Sequence, residues 1–252
     1  MAARADVRHG FHWGAAAAAY QVEGASGRDE RGAVLWDAFL AEGGAARGDD
    51  ALVAADHLAH LEADLDLLVE LGATAHRFSV AWARVMPDGR TPSARGLDVY
   101  RRLVDGLLER GIEPAVTLYH NDPPVAATGP GGWTERDVAA RFADYAATVA
   151  GALGDRVTWW MTVNEPFYEA SLGYREAAWP PRLATHATFA AALHHLLLGH
   201  GLAAQAIRAS AAAAPAIGLV NSHSPCVAVR DDEADRRVAA RVDAHTNRLV
   251  LD

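Results

Sequence analysis

There is no lysine in this 252-residue chain; all 23 of its basic residues are arginine. That absence removes the chemistries that need a lysine amine: Schiff-base catalysis, pyridoxal-phosphate attachment and the phosphate-cradling P-loop. Cysteine is nearly as scarce. The single Cys226 can form neither an internal disulfide nor a thiolate zinc site by itself, and it reads as a small core residue. Positive charge is also in short supply. Against 32 acidic residues the 23 arginines leave a net charge of −9, so no basic surface for nucleic acid is expected. The alanine-rich tract from 187 to 220 is broken by His194, His195, His200, Gln205 and Arg208 and does not read as a membrane span. The N-terminal "MAARADVRHG" lacks the apolar stretch of a secretory leader. A cytoplasmic location with no membrane partner is the expectation.

What the chain does have is alternation. Strand-like runs near residue 11 and over 73–82, 113–120, 156–165 and 216–224 are separated by helical patterns over 56–71, 96–111, 134–153 and 185–212. A last helix starts near 232. In the first helical pattern Leu58, Leu61, Leu65 and Leu68 recur at helical spacing, and Gly72 follows as a C′ glycine would. Such strand–helix units imply parallel strands joined by crossovers. No linker or low-complexity break interrupts them, so residues 1–252 read as one domain.

The polar residues gather at one end of these units. Arg77, His120, Asp122, Asn164, Glu165, Asn221 and His223 lie in or just beyond the C-terminal halves of strands. In a TIM barrel that is where the active site forms. No G-x-G-x-x-G follows the first strand, which argues against a dinucleotide-binding sheet. The fold class is therefore α/β, of the TIM (β/α)8-barrel type. The D-H-x-x-H run of Asp56, His57 and His60 reads as a solvated helix face rather than a metal site. His194 and His195 are adjacent on a helix and point apart.

Five ordered blocks carry a resemblance: "FHWGAAAAAYQVEGA" (11–25), "HRFSVAWARVMPDG" (76–89), "GLDVYRRLVDGLLERGIEPAVTLYH" (96–120), "GGW" (131–133) and "GDRVTWWMTVNEP" (154–166). Together they resemble the N-terminal half of glycoside hydrolase family 1, the β-glucosidase and 6-phospho-β-glucosidase family. The resemblance implies that Glu165 is the general acid/base and that Asn164 binds the sugar's 2-hydroxyl. It implies that Gln21 and His120 bind hydroxyls of the terminal sugar, and that Arg77 lies beside a nucleophile and keeps it ionised. It further implies a terminal β-glucoside or related small-molecule substrate, retention of configuration, and no metal or organic cofactor. Trp159 and Trp160, on the strand that ends in Glu165, would supply apolar surroundings for a proton donor, although one of them must point outward. Glu23, in the same block as Gln21, reads as structural.

The chain also departs from the family pattern. The family's tryptophan after the sugar-binding histidine is Asn121 here, within "HNDPP", and the run "REAAWPPRLA" keeps only a loose likeness. More consequentially, retaining hydrolysis needs a second carboxyl group roughly 5–5.5 Å from the first. The family's nucleophile motif, Thr/Ser-Glu-Asn-Gly, does not occur, and about five of eight barrel strands are present. Three accounts remain open. The chain is part of a longer or split enzyme, completed by further sequence or a second chain. Or it is an inactive remnant that binds carbohydrate without cleaving it. Or a self-assembled half-barrel uses Asp122 or Glu169 as the nucleophile.

Overall fold

The computed structural model describes residues 11–24, 31–44 and 51–251. The N-terminal segment read for a leader lies outside the described residues. In chain order the regular elements are β1 (Gly14–Ala16), α1 (Ala19–Val22), α2 (Leu35–Ala41), α3 (Leu61–Glu70), β2 (Ala75–Ser79), α4 (Trp82–Val85) and α5 (Ala94–Glu109). They continue with β3 (Glu113–Tyr119), α6 (Val125–Thr128), α7 (Asp137–Leu153), β4 (Trp159–Asn164), α8 (Pro166–Tyr174), α9 (His186–Ser210), β5 (Ala216–Val220) and α10 (Glu233–Asp243). A 3₁₀ turn at Gly132–Thr134 precedes α7 and a π-helical turn at Ala244–Arg248 follows α10.

The strands form one five-stranded sheet in the order β1-β2-β3-β4-β5, every neighbouring pair parallel. Strand order equal to chain order is what successive βα units produce. Among the described residues it leaves β1 and β5 as the edges, each with a row of backbone groups unpaired within the sheet. β3, at the centre, is buried along almost its whole length. Around it Trp82, Trp133, Trp160, Tyr100, Tyr145 and Phe142 are fully buried, as is Tyr119 of β3 itself. The polar atoms of Trp160, Tyr100, Tyr119 and Tyr145 are hydrogen-bonded, whereas Trp82 Nε1 and Trp133 Nε1 find no partner among the described residues. The Tyr145 hydroxyl donates to the carbonyls of Val80 (2.7 Å) and Leu118 (3.1 Å), tying α7 to the ends of β2 and β3.

Local signals place the long helices. Ser93 caps α5 by accepting from the Gly96 N–H at 3.1 Å, Thr185 caps α9, and Asp232 caps α10. Gly96 itself is required by packing, because a Cβ there would lie 2.1 Å from the Arg84 carbonyl oxygen as α5 crosses α4. α3 ends before Gly72, whose φ of +72° is the left-handed turn expected there. Its start differs from the expectation: the helix begins at Leu61, not Asp56. Asp56 has φ +50°, and the N–H groups of His57 and Leu58 donate to the carbonyls of Val22 and Glu23 at the end of α1. Tertiary bonding thus removes the first turn, and the D-H-x-x-H run lies on successive turns rather than a helix. His57 Nδ1 instead meets Asp64 Oδ2 at 2.6 Å.

Further boundaries shift for similar reasons. The N–H groups of Arg156 and Val157 still bond to the Leu153 carbonyl, so β4 begins only at Trp159. β5 stops at Val220 rather than Ser224. Cys226, expected in the core, is half-buried in the segment after β5 with its thiol toward the Ser224 carbonyl. The short helices α1, α2, α4, α6 and α8 all lie in segments that follow strands and were not foreseen. Among the described residues no helix is long and apolar enough to cross a membrane.

Candidate active site

The ends of β2, β3 and β4 bring the polar residues together. From β2, the half-buried Arg77 reaches across the sheet: Nε donates to Thr117 Oγ1 on β3 at 2.8 Å, and Nη2 donates to Asn164 Oδ1 on β4 at 2.6 Å. These two bonds fix both side chains. Because Asn164 Oδ1 is taken by the guanidinium, its Nδ2 is left as a donor, and it points toward Glu165 Oε2 at 3.5 Å. Asn164 is only 3% exposed, so this donor is held in place by the surrounding structure.

Glu165 follows in the left-handed region, with φ 47° and ψ 58°, and acts as the residue before α8. Its N–H donates to the Val220 carbonyl on β5 at 2.7 Å, while Pro166 starts the helix without needing a donor. A non-glycine residue in this region costs on the order of 1 kcal/mol, and such positions concentrate at functional sites. The sharp turn takes the carboxyl group out of the alternating line of β4. Burial works against the Arg77 charge and the Glu165 carboxylate supports it, which couples these two groups electrostatically.

His120 closes β3. Burial, with the Arg77 charge as a second cause, lowers its pKa to about 4, so the imidazole is neutral at pH 7. Its Nδ1 is buried with no hydrogen-bond partner among the described residues. His120 and Gln21 both line a pocket of about 740 Å³ with Tyr20, Trp36, Asn121 and Trp179. The pocket is amphipathic, combining the polar side chains of Gln21, His120 and Asn121 with the aromatic rings of Tyr20, Trp36 and Trp179. Trp36 and Trp179 meet edge to face with centroids 5.6 Å apart, and Trp36 Nε1 donates to the Asn121 carbonyl at 2.6 Å.

The five residues expected to form the site are thus arranged in two linked groups. Gln21 and His120 line the pocket, while Arg77, Asn164 and Glu165 form a row on the adjoining strand ends. The charge of Arg77 acts on His120, and the Glu165 carboxylate supports the charge of Arg77. Three aromatic residues of the pocket were not foreseen: Tyr20, Trp36 and Trp179. A signal existed, since each is an aromatic in a segment following a strand, and apolar ring faces are what a sugar site displays. Of the tryptophans that were expected to matter, Trp160 is buried in the core and Trp159 is half-buried against His12 at 4.6 Å between centroids. Neither lines the pocket.

Other candidates resolve into structural roles. Glu23 Oε2 accepts from Arg84 Nε and Nη2, and its Oε1 accepts from the Tyr100 hydroxyl, all inside the core. Asp122 and Glu169, considered as substitute nucleophiles, are each 2% exposed, and Glu169 accepts from the Tyr119 hydroxyl at 2.9 Å. Asn221 and His223 contact each other beyond β5. His195 Nδ1 meets the Trp133 carbonyl, whereas His194 lies near Arg136. Among the described residues no group of three or more His, Cys, Asp or Glu side chains could hold a metal ion.

Comparison with known proteins bears on this geometry. The family model described as Glycosyl hydrolase family 1 matches residues 3–252. Thermostable beta-glucosidase B of Thermobispora bispora is 47% identical over 245 residues, covering 96% of this chain and 50% of that protein. The bifunctional beta-D-glucosidase/beta-D-fucosidase of Bifidobacterium breve is 44% identical over 249 residues, covering 96% and 53% respectively. Among solved structures, a psychrophilic beta-glucosidase from Micrococcus antarcticus superposes with a TM-score of 0.91 at 44% identity, over 96% of this chain and 52% of that one. A beta-glucosidase from Thermotoga maritima in complex with deoxynojirimycin gives 0.92 at 35% identity, over 95% and 55%. The chain spans about half the length of the curated relatives it matches, and its five parallel strands are a partial barrel. It belongs to glycosyl hydrolase family 1.

Proposed function

We propose that the chain provides the acid/base half of a retaining β-glycosidase acting on terminal β-D-glucosides or related β-glycosides. The observation that carries this reading is the row Arg77–Asn164–Glu165 at the ends of β2 and β4, next to a pocket lined by Gln21 and His120. In the first step a carboxylate nucleophile attacks the anomeric carbon, the glycosidic bond breaks, and Glu165 gives its proton to the departing oxygen. In the second, Glu165 takes a proton from water as that water attacks the same carbon and releases the nucleophile. Asn164 Nδ2 is the donor for the sugar's 2-hydroxyl, and Gln21 and His120 hold other hydroxyls. Arg77 orients Asn164 and supplies positive charge beside the site of attack.

The nucleophile comes from outside these 252 residues, on further sequence or on a second chain pairing with the edges of the sheet. Asp122 and Glu169 are poor substitutes because both are buried, and burial raises the pKa of each. A cytoplasmic setting is part of the proposal and rests on the single cysteine, which calls for no oxidising compartment.

The test supplies the missing carboxylate as formate, with an aryl β-glucoside as substrate. Attack from the face opposite the leaving group should give the α-glucosyl formate, identified by proton NMR, and its yield should fall on Glu165→Gln. Release of the aryl group that is independent of formate and unchanged in Glu165→Gln would refute the assignment.

A further inference from the structure

β2 and β4 are not neighbours in the sheet; β3 lies between them. Arg77 on β2 therefore crosses β3 to reach Asn164 on β4, and the β3 side chain it bonds on the way is Thr117. Thr117 pairs with Ser79 of β2 and Met161 of β4 in the parallel register, and its carbonyl accepts from the Val80 N–H at 2.9 Å. It is fully buried, and its β-branched side chain has few rotamers open to it. The Thr117 hydroxyl is thus a fixed acceptor on the central strand, and the hydrolase reading gives it no role.

A guanidinium is rigid and planar, so the bond from Nε to Thr117 Oγ1 at 2.8 Å limits the directions left to Nη2. Nη2 then donates to Asn164 Oδ1 at 2.6 Å. A carboxamide can be turned over, exchanging its oxygen for its NH2 group. Here the turned form would set the Nδ2 hydrogens against an Nη2 hydrogen, donor against donor. Only one orientation suits the anchored guanidinium, and it sends Nδ2 toward Glu165 Oε2 at 3.5 Å. Without the Thr117 acceptor Arg77 would lose its anchor on β3, Nη2 could leave Asn164, and the carboxamide could present oxygen or nitrogen alike.

We propose that Thr117 is a positioning residue: by anchoring Arg77 it holds the Asn164 carboxamide in the orientation that presents its N–H donor to the sugar, and so sets the preference for a hydroxyl at C2. The inference rests on the glycoside reading of the site and deepens it.

The test is calorimetric binding of methyl β-D-glucopyranoside, its 2-deoxy analogue and its 6-deoxy analogue to the full chain, as wild type, Thr117→Val and Thr117→Ser. Valine keeps the branched shape and removes the acceptor, whereas serine keeps the acceptor. In wild type, loss of the 2-hydroxyl should weaken binding about tenfold, as for one hydrogen bond. Thr117→Val should bring that ratio to about twofold or less and leave the 6-deoxy ratio unchanged, and Thr117→Ser should restore it. If Thr117→Val does not fold, Thr117→Ala removes the same acceptor and is read in the same way. Equal 2-deoxy ratios in wild type and Thr117→Val would overturn the role of Thr117 while the glycoside reading stands. So would a matching fall in both ratios, which is what loosened packing gives. A wild type that binds the glucoside but does not distinguish the 2-deoxy sugar would overturn the Asn164 contact, and with it the role of Thr117. A folded wild type that binds none of the sugars would overturn the glycoside reading itself.

Discussion

The middle of the molecule and its C-terminal rim are built differently. β3 is buried along nearly its full length and is surrounded by six fully buried aromatic residues besides its own Tyr119, whereas β5 is only partly covered and α10 buries no residue at all. Large apolar side chains at Val227, Val229, Val238, Val242 and Leu251 are exposed on that rim. The candidate site draws on both regions unevenly. Arg77 and Asn164 stand on β2 and β4 and His120 directly follows β3, while β5 contributes one backbone bond, from Glu165 N–H to Val220. The site's polar row is therefore positioned by the packed centre, and the rim acts mainly on the turn at Glu165.

This contrast can be broken by substitution. Trp133 is fully buried in edge-to-face contact with Tyr119 and Phe142 at 5.2 and 5.5 Å. Trp133→Ala should cost roughly 3–5 kcal/mol in urea unfolding, in line with large cavities in aromatic cores. A loss no larger than that of a rim substitution would show that the centre is not what holds the fold.

The next effect is a pH dependence. Burial pushes the Glu169 carboxyl up to about 7, despite the hydrogen bond from Tyr119. The folded chain then holds that proton more tightly than the unfolded chain, so Glu169 makes stability fall as pH rises from about 4.5 to about 7. His76 and His120 act in the opposite sense. Their pKa values are lowered to about 4 by burial, so the unfolded chain takes up protons first and stability falls as pH drops from about 6.5 to about 4. Glu169→Gln removes the first dependence and leaves the second. Its stability relative to wild type should rise by about 3 kcal/mol across the upper window, measured by unfolding below pH 4.5 and above pH 7. A constant difference would mean that Glu169 is solvated.

Smaller effects sharpen the same comparison. Tyr145→Phe removes the hydroxyl shared by the Val80 and Leu118 carbonyls and should cost about 1–2 kcal/mol. Val242→Ala on the exposed rim should change stability by less than about 0.5 kcal/mol. If the rim substitution matched the central one, the rim would be packed against a partner in solution.

What was legible in the sequence follows the same division. The central strands and the long helices showed themselves by periodicity, because their burial is set by local pattern. Arg77, His120, Asn164 and Glu165 could be placed at strand ends for the same reason. The start of α3 could not, since the bonds from His57 and Leu58 to α1 are tertiary and no local spacing encodes them. The Arg77–Asn164 bond spans 87 residues and joins two positions that the sequence marks only separately. The aromatic wall was hidden because Tyr20, Trp36 and Trp179 come from three separate segments that converge only in the fold.

The central claim is that Glu165 is the proton donor to the leaving group. Its most direct test is a leaving-group series: formate-supported cleavage of aryl β-glucosides, from strongly to weakly acidic phenols, by wild type and Glu165→Gln. The account predicts that the substitution slows poor leaving groups far more than good ones, because only the former need the proton. Equal slowing across the series, or no cleavage of any member by a folded chain that binds glycosides, would contradict it.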